Sequence, residues 1–219
     1  MQVSMWYIPP FSGKLWYNVF LPILVAMVKE NITSGHHTLG RGMCIVITLP
    51  VFFDDEADRI AQLLKSGRVD LVHIRKPEST EEEVEALLSS IPEDLRGRLV
   101  LHDHHCLASR YGVYGVHLNG RNPVPPKGWQ GSVSRSCHTL NEVMEWKERC
   151  DYVSLSPIYD SVSKKEYLSA FTREELIEAH RQGIIDDRVY ALGGVTFDSI
   201  SDTLALGFGG VMILGDAWK

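Results

Sequence analysis

The stretch DYVSLSPIY, residues 151–159, decides the fold class because it has the length and the Tyr, Val and Leu content of a buried strand, with serines at alternate positions. Short runs of this kind are typical of strands covered on both faces of a sheet. Seven comparable stretches occur, namely CIVITLP (44–50), DLVHIRK (70–76), RLVLH (98–102), YGVHLN (114–119), GSVSRS (131–136), RVYALGG (188–194) and GGVMILG (209–215).

Segments with helical periodicity separate these strands. Acidic and hydroxyl residues, which favour helix N-termini, open several of them. We predict helices over 54–66, 104–111, 139–150, 172–182 and 196–206, and one more that opens at Ser79-Thr80, whereas 120–130 contains three prolines and two glycines and lacks a full helix. Eight strands with helical crossovers predict an α/β fold, a compact (β/α)₈ TIM barrel. A doubly wound open sheet is the main alternative, although it ordinarily uses fewer strands.

Composition and charge narrow the range of partners. The chain has 219 residues, 44% of them hydrophobic, and its 22 basic and 28 acidic side chains give a net charge of −6. This charge disfavours general binding to nucleic acid or to an anionic membrane, but it permits a local basic site for a small anion. The four cysteines have no C-x-x-C spacing, so we expect neither a disulfide framework nor a zinc knuckle, and we predict a cytoplasmic location.

The N-terminal residues differ in composition from the rest of the chain. The apolar run at 15–28 has 14 residues and contains a proline, whereas a membrane-spanning helix needs about 20 residues, so no stable membrane insertion is expected. Residues 29–42 are polar and contain glycine, and Met43 directly precedes the first strand. We therefore expect 1–42 to be an N-terminal extension, disordered or not natively translated, and 43–219 to form the barrel.

Polar residues fall late in several strands and on one parity. His73 and Arg75 end the second strand, His102 the third, and Ser136 the fifth, with His138 continuing its parity. Because active sites of such barrels lie at the carboxyl ends of the strands, we expect these side chains to line a polar cavity. A neutral imidazole is well suited to proton transfer near pH 7, so His138 is a candidate general acid/base. The alternative is a histidine that caps a helix or lies on the rim.

Glycines mark a candidate anion site. Gly193 and Gly194 follow the seventh strand and Gly215 follows the eighth, where backbone N–H groups can approach a phosphate closely. A tight turn explains the same glycines equally well. Lys164, in the loop after the sixth strand, is either a further positive charge for the anion or a solvated lysine.

The run His102-Asp103-His104-His105 suggests a metal, but neighbours on a strand point in opposite directions and cannot all bind one ion. A single contact from Asp103 to a substrate-bound magnesium ion is the better hypothesis. We expect His104 and His105 to begin the next helix as surface residues.

Together these motifs resemble the thiamine phosphate synthase and TenI superfamily over almost all of residues 43–219. The resemblance rests on VHIR (72–75), LHD with LA (101–108), GVHL (115–118), SCHTLNEV (136–143), DYVSLSPIY (151–159), SVSK (161–164), ALGGV (191–195) and GGVMILG (209–215). It implies a barrel that binds a thiazole phosphate, with the phosphate on Gly193, Gly194 and Gly215.

Departures from the synthase pattern favour the TenI branch. Pro77 stands where the synthases resembling this chain have a lysine, and Asn122 stands where they have a magnesium-binding aspartate. The resemblance to TenI implies a thiazole tautomerase that needs no cofactor, with His138 as acid/base. The contacts to substrate that we predict are His73, Arg75, His102, Ser136, Ser161, Ser163 and Lys164.

Two alternatives stay open beside the tautomerase. One is a divergent thiamine phosphate synthase that couples pyrimidine pyrophosphate to thiazole phosphate and uses Mg²⁺ at Asp103. The other is a non-catalytic or regulatory protein that keeps the phosphate pocket. A small phosphorylated thiazole is the expected partner in each case, and a homodimer is an open alternative to a monomer.

Overall fold

The computed structural model describes residues 42–160 and 169–219. The predicted extension therefore lies outside the described residues, apart from residue 42, and so do Ser161, Ser163 and Lys164. None of the helices within the described ranges has the length and apolar character that a bilayer crossing requires.

Eight parallel strands form a closed barrel in which each strand pairs with the next and β8 pairs with β1. The predicted TIM barrel is confirmed, and closure excludes the open sheet. The strands are β1 Met43–Ile47, β2 Leu71–Ile74, β3 Leu99–Leu101, β4 Gly115–Leu118, β5 Ser132–Cys137, β6 Tyr152–Leu155, β7 Val189–Leu192 and β8 Gly210–Ile213.

Helices cover the outside of the barrel. Two of them begin with a full capping box, in which Thr80 or Thr172 accepts from a backbone N–H and a glutamate three residues later bonds back. The α-helices are α1 Glu56–Lys65, α2 Glu81–Ser90, α3 Glu93–Arg96, α4 Leu107–Tyr111, α5 Leu140–Trp146, α6 Arg173–Arg181 and α7 Ile200–Leu204, and 3₁₀ turns lie at Phe197–Ser199 and Gly215–Trp218.

The connection from β4 to β5 contains no helix, as its prolines predict. The helix predicted over 104–111 begins only at Leu107, and His104 has a left-handed backbone conformation with φ 52°. His105 precedes the helix and is buried. The prediction that His104 and His105 begin this helix as surface residues is therefore wrong, because the chain turns inward before the helix starts.

The two faces of the barrel wall differ in composition. Outward side chains such as Val72, Leu101 and Leu155 pack in one apolar layer beneath the helices. The inward side chains include a smaller apolar cluster of Ile45, Ile47, Leu71, Val100, Tyr152, Tyr190 and Met212. Gly210 belongs to the inward parity, and a Cβ there would lie 2.7 Å from the Tyr190 ring. The tyrosine ring thus fills the space that a side chain at 210 would need.

Candidate functional site

A hydrogen-bonded set of side chains fills the barrel interior toward the carboxyl ends of the strands. His73 Nδ1 lies 2.8 Å from His102 Nε2, and His73 Nε2 lies 2.6 Å from the Tyr152 hydroxyl. His102 stacks on His117, with 4.0 Å between ring centroids. The three imidazoles come from β2, the end of β3, and β4, so their shared parity brings them together.

Serines complete this interior set on the far side of His117. Its Nδ1 lies 2.8 Å from Ser134 Oγ, and its Nε2 lies 2.9 Å from Ser136 Oγ. Ser154 Oγ donates to Ser136 Oγ over 3.3 Å. Ser136 is half-buried, whereas the other three are buried. The polar set therefore extends from the interior of the barrel to its mouth, at Ser136.

Burial keeps the three histidines neutral. Removal from water lowers the pKa of His73 and of His102 well below its usual value, and neighbouring imidazoles lower both further. The pKa of His117 is lowered to about 3, again mainly by burial. A neutral imidazole has one N–H donor and one lone pair, so each ring can both give and accept a hydrogen bond.

Arg75 supplies a positive charge just beyond β2. Its backbone N–H donates to Thr48 Oγ1 at 2.9 Å, and its carbonyl accepts from the same hydroxyl. This contact fixes the backbone between the ends of β1 and β2. The guanidinium has no hydrogen-bond or ion-pair partner among residues 42–160 and 169–219. It is thus available to an anionic group of a ligand.

Asp103 lies two residues after β3, and its two carboxylate oxygens differ in their hydrogen bonds to the described residues. Its Oδ1 accepts from Arg121 Nε and Nη2 at 3.0 and 2.8 Å, and from Asn122 Nδ2 at 3.4 Å. Its Oδ2 is buried and has no partner within the described part of the chain. The Asn119 side chain holds the loop by accepting from the N–H groups of Arg121 and Asn122.

Asp103 Oδ2, which has no partner among the described residues, can serve as one of the ligands of a cation. Mg²⁺ takes oxygen ligands and is commonly held by one or two carboxylates together with substrate phosphates and water. Asp103 Oδ2 is a buried carboxylate oxygen that lacks a partner in the described ranges, which suits such an ion. Arg121 already neutralises the other oxygen, so the residues present offer one protein ligand from Asp103 and leave the remaining positions to substrate and water.

Lys76 is held by the loop after β1 and by the first residue of α1. Its Nζ is buried and donates to both carboxylate oxygens of Glu56 at 2.8 Å, and to the carbonyls of Leu49 and Val51 at 3.0 and 2.7 Å. Burial lowers the pKa of Lys76 and raises that of Glu56, while the ion pair opposes both shifts. The N–H groups of Lys76 are thus all engaged within the protein.

His138 lies at the mouth, between the end of β5 and the N-cap residue of α5, Thr139. Its side chain is exposed, and Nδ1 lies 3.2 Å from the Ser156 carbonyl oxygen and 3.3 Å from Ser156 Oγ. Its backbone N–H donates to Glu142 Oε2 at 2.5 Å. The Ser156 carbonyl can orient an Nδ1–H tautomer, which leaves Nε2 for proton exchange with a ligand.

The glycine loops face each other at the ends of β7 and β8. Gly193 and Gly194 have φ 92° and 69°, and a Cβ at either would lie within 2.8 Å of the backbone of Pro157 or Asp160. Both positions therefore require glycine. The N–H groups of Gly194 and Val195 find no acceptor among the described residues.

Gly215 begins the 3₁₀ turn that follows β8. The next residue, Asp216, accepts from the Phe197 N–H at 3.0 Å. This hydrogen bond joins the loop after β7 to the loop after β8, so the three predicted glycines belong to one linked region.

The structure thus separates the predicted site residues into groups. His73, His102 and Ser136 belong to the interior set. Arg75 and Asp103 follow the ends of β2 and β3, and His138 lies beyond β5. The glycines lie beyond β7 and β8. The predicted catalytic and substrate-contact residues do not include His117, Tyr152, Arg121 and Glu56, although His117 ends the fourth strand in GVHL (115–118). His117 and Tyr152 share the inward parity of the predicted residues, which is the signal that could have found them.

Comparison with known proteins identifies the superfamily. A family model described as thiamine monophosphate synthase matches residues 44–216. The thiamine-phosphate synthase of Photorhabdus laumondii is 25% identical over 171 residues, covering 73% of this chain and 77% of the relative. That of Bacteroides thetaiotaomicron is 26% identical over 168 residues, covering 71% and 80%.

Solved structures of similar fold point to the same family. A crystal structure of a thiamine phosphate pyrophosphorylase from Bacteroides thetaiotaomicron has 43% sequence identity and a TM-score of 0.73, covering 80% of this chain and 84% of that one. A thiamine phosphate pyrophosphorylase from Pyrococcus furiosus is 17% identical, with a TM-score of 0.64 over 80% and 89% of the two chains, and it supports the fold alone. The relatives carry the synthase name rather than a tautomerase name, so the expectation of a tautomerase is not confirmed. The chain belongs to the thiamine monophosphate synthase/TenI family of thiamine biosynthesis.

Proposed function

We propose that the chain is a thiamine-phosphate synthase that joins a pyrimidine pyrophosphate to thiazole phosphate and releases pyrophosphate. The single observation that carries this proposal over the tautomerase is Asp103, whose buried Oδ2 lacks a partner in the described ranges and suits a magnesium ion on the pyrophosphate. The names of the relatives support the same choice.

Residues of this chain bind and orient the two substrates. The N–H groups of Gly194 and Val195, which find no acceptor among the described residues, support a role in holding the thiazole phosphate. Arg75 is placed to contact the pyrophosphate, since its guanidinium has no partner in the described ranges. Asp103 would hold magnesium, which when bound neutralises charge on the departing pyrophosphate. Ser161, Ser163 and Lys164 are proposed as further contacts on the basis of the sequence resemblance.

A coupling assay tests the proposal. Purified protein is supplied with pyrimidine pyrophosphate, thiazole phosphate and Mg²⁺, and the release of pyrophosphate is followed together with thiamine phosphate. We expect turnover in the wild type and a decrease in turnover of at least about 100-fold in Asp103→Asn, which keeps the size of the side chain but removes its negative charge. Asp94→Asn, at an exposed position on α3 before β3, is the matched control. Absence of turnover, or an unaffected Asp103→Asn, contradicts the proposal.

A thiazole tautomerase is the second candidate, and His138 is the observation that favours it. The imidazole is exposed at the mouth and oriented by the Ser156 carbonyl, while Lys76 is engaged by Glu56 and does not serve a pyrophosphate. In this reaction His138 would move a proton on the thiazole phosphate carboxylate, and no metal is needed.

The two candidates predict opposite variant profiles. His138→Gln should abolish tautomerisation while sparing the binding of thiazole phosphate, and Asp103→Asn should leave tautomerisation unchanged. Binding of thiazole phosphate without turnover in either assay would instead indicate a non-catalytic or regulatory protein.

We also propose a cytoplasmic location and leave a homodimer as a prediction. All four cysteines are free thiols, and three of them are buried, which is compatible with a reducing compartment. Size-exclusion chromatography with light scattering measures the oligomeric state directly.

A further inference from the structure

Three buried histidines in the barrel interior have the arrangement of a metal centre. One ring nitrogen from each of His73, His102 and His117 lies within 4.8 Å of the other two. All three residues are at most 6% exposed. They come from three consecutive strands and project inward with the same parity, so the closed barrel holds their backbones at fixed spacing.

Neighbouring side chains already orient two of the rings. His73 Nε2 is engaged by the Tyr152 hydroxyl and His117 Nδ1 by Ser134 Oγ. Metal-binding histidines commonly use their second nitrogen in this way, which fixes the ring and the tautomer. This leaves His73 Nδ1, His102 Nε2 and His117 Nε2 as the candidate ligand atoms; the first two contact each other, and His117 Nε2 contacts Ser136 Oγ.

We propose that His73, His102 and His117 bind one divalent transition-metal ion of the zinc class through these three nitrogens. Imidazole ligands suit zinc, cobalt, nickel and copper, whereas magnesium selects oxygen ligands, so this centre is different from the Asp103 site. Ser136 Oγ lies 2.9 Å from His117 Nε2 and is half-buried toward the mouth. The fourth coordination position therefore faces Ser136, where water or a ligand group can enter.

Metal binding requires the three rings to shift, since the candidate nitrogens lie within 4.8 Å of one another rather than at one uniform ligand spacing. Zinc–nitrogen bonds of about 2.0–2.1 Å in a tetrahedral site place ligand nitrogens about 3.3 Å apart. His73 Nδ1 and His102 Nε2 lie 2.8 Å apart, so these two rings move apart by roughly half an ångström.

Proton balance is also satisfied. Each neutral imidazole directs its lone pair to the ion and its single N–H outward, as from His73 Nε2 to Tyr152 Oη and from His117 Nδ1 to Ser134 Oγ. Binding shifts the shared proton between His73 and His102 onto an outer nitrogen, and no proton leaves the site. Because three neutral ligands leave the ion its full double charge, the centre would also attract anions to the mouth.

Metal binding itself is the test, measured on the full chain after removal of metals with a chelator. Co²⁺ is titrated by visible absorption, and Zn²⁺ by competition with a chromophoric chelator. His36 and His37 are replaced by Gln in every sample, so that this adjacent pair contributes nothing. We expect one ion per chain and the intense visible bands of four-coordinate cobalt.

Variants assign the ligands. His102→Gln and His117→Gln should each weaken Zn²⁺ binding by at least about 100-fold, and Tyr152→Phe by about tenfold through loss of the outer hydrogen bond. The matched controls are His104→Gln and His180→Gln, whose rings bond to backbone carbonyls elsewhere, and they should bind as the parent does.

The proposal is overturned if no ion binds stoichiometrically, or if His102→Gln and His117→Gln bind as tightly as the controls. Far-ultraviolet circular dichroism verifies that each variant is folded. Where a ligand variant is unfolded, Tyr152→Phe decides the question, and unchanged cobalt bands and affinity in that variant contradict the site. These readouts use no substrate, so they are independent of whether the chain makes thiamine phosphate.

Discussion

The two faces of the barrel wall show how one set of strands serves two purposes. On β6, Val153 and Leu155 face outward into an apolar layer. Tyr152 and Ser154 face inward, where the Tyr152 hydroxyl bonds to His73 and Ser154 Oγ bonds to Ser136. Both faces are buried, yet only the inner face contains the histidines and serines. The outer face is thus specialised for burial of apolar surface, and the inner face, toward the carboxyl ends, for binding.

Alkaline pH should lower the free energy of unfolding through the buried thiols of the outer layer. Burial raises the pKa of the Cys44 and Cys150 thiols to about 11 and that of Cys137 to about 12, from 9.0. Because the pKa of each thiol is higher in the folded state than in the unfolded state, the stability that the buried protonated thiols contribute is fully present below pH 9. It is lost as pH rises toward 11. Between pH 7.5 and pH 10 the three thiols together should reduce the free energy of unfolding by about 4 kcal/mol.

Urea unfolding under reducing conditions at the two pH values measures this loss. Cys137→Ala should remove about a third of it, whereas Cys106→Ala, at an exposed position, should leave it essentially unchanged. An equal loss in a variant lacking all three buried thiols would contradict the explanation.

Neighbouring substitutions on β6 compare the two faces directly. Leu155→Ala should lower the free energy of unfolding by about 2–5 kcal/mol, because it leaves a cavity in the outer layer. Ser154→Ala removes one 3.3 Å hydrogen bond from the inner face and should cost only about 1 kcal/mol. Chemical denaturation of the two variants in parallel is the measurement. A larger cost for Ser154→Ala would show that the inner polar set dominates stability.

Substitution of Arg75 should have the smallest effect of these changes, and it should affect ligand affinity but not stability. Arg75→Gln should weaken binding of pyrophosphate by about tenfold, equivalent to about 1.4 kcal/mol. Stability should not change, since the guanidinium has no partner in residues 42–160 and 169–219. Isothermal titration calorimetry and a thermal melt of the same sample separate the two quantities. A lower melting temperature with unchanged affinity would make Arg75 a structural residue.

Much of the barrel could be predicted from the sequence because strand periodicity and chain order are local. The eight strands and the inward parity of His73, His102 and Ser136 follow from spacing alone. Tertiary geometry decides the rest. Nothing local indicates that Lys76 reaches Glu56, 20 residues earlier, or that Tyr152 meets His73 across the barrel, 79 residues away.

The error at His104 and His105 has a similar origin. An H-D-H-H run reads as the polar start of a helix, but His104 turns the chain through a left-handed conformation and bonds through Nε2 to the Ser79 carbonyl. His105 is then buried, with its own Nε2 lacking a partner in the described ranges. Long-range anchoring of this kind overrides local preference.

The fit of the Tyr190 ring over Gly210 constrains how relatives of this chain can diverge. Any side chain at 210 would meet both the tyrosine ring and the Met43 carbonyl oxygen, each 2.7 Å from the new Cβ. A smaller residue at 190 relieves one of these contacts but not the backbone contact. Positions 190 and 210 are therefore expected to vary together among homologous barrels, and to do so only where the register between β1 and β8 has also shifted.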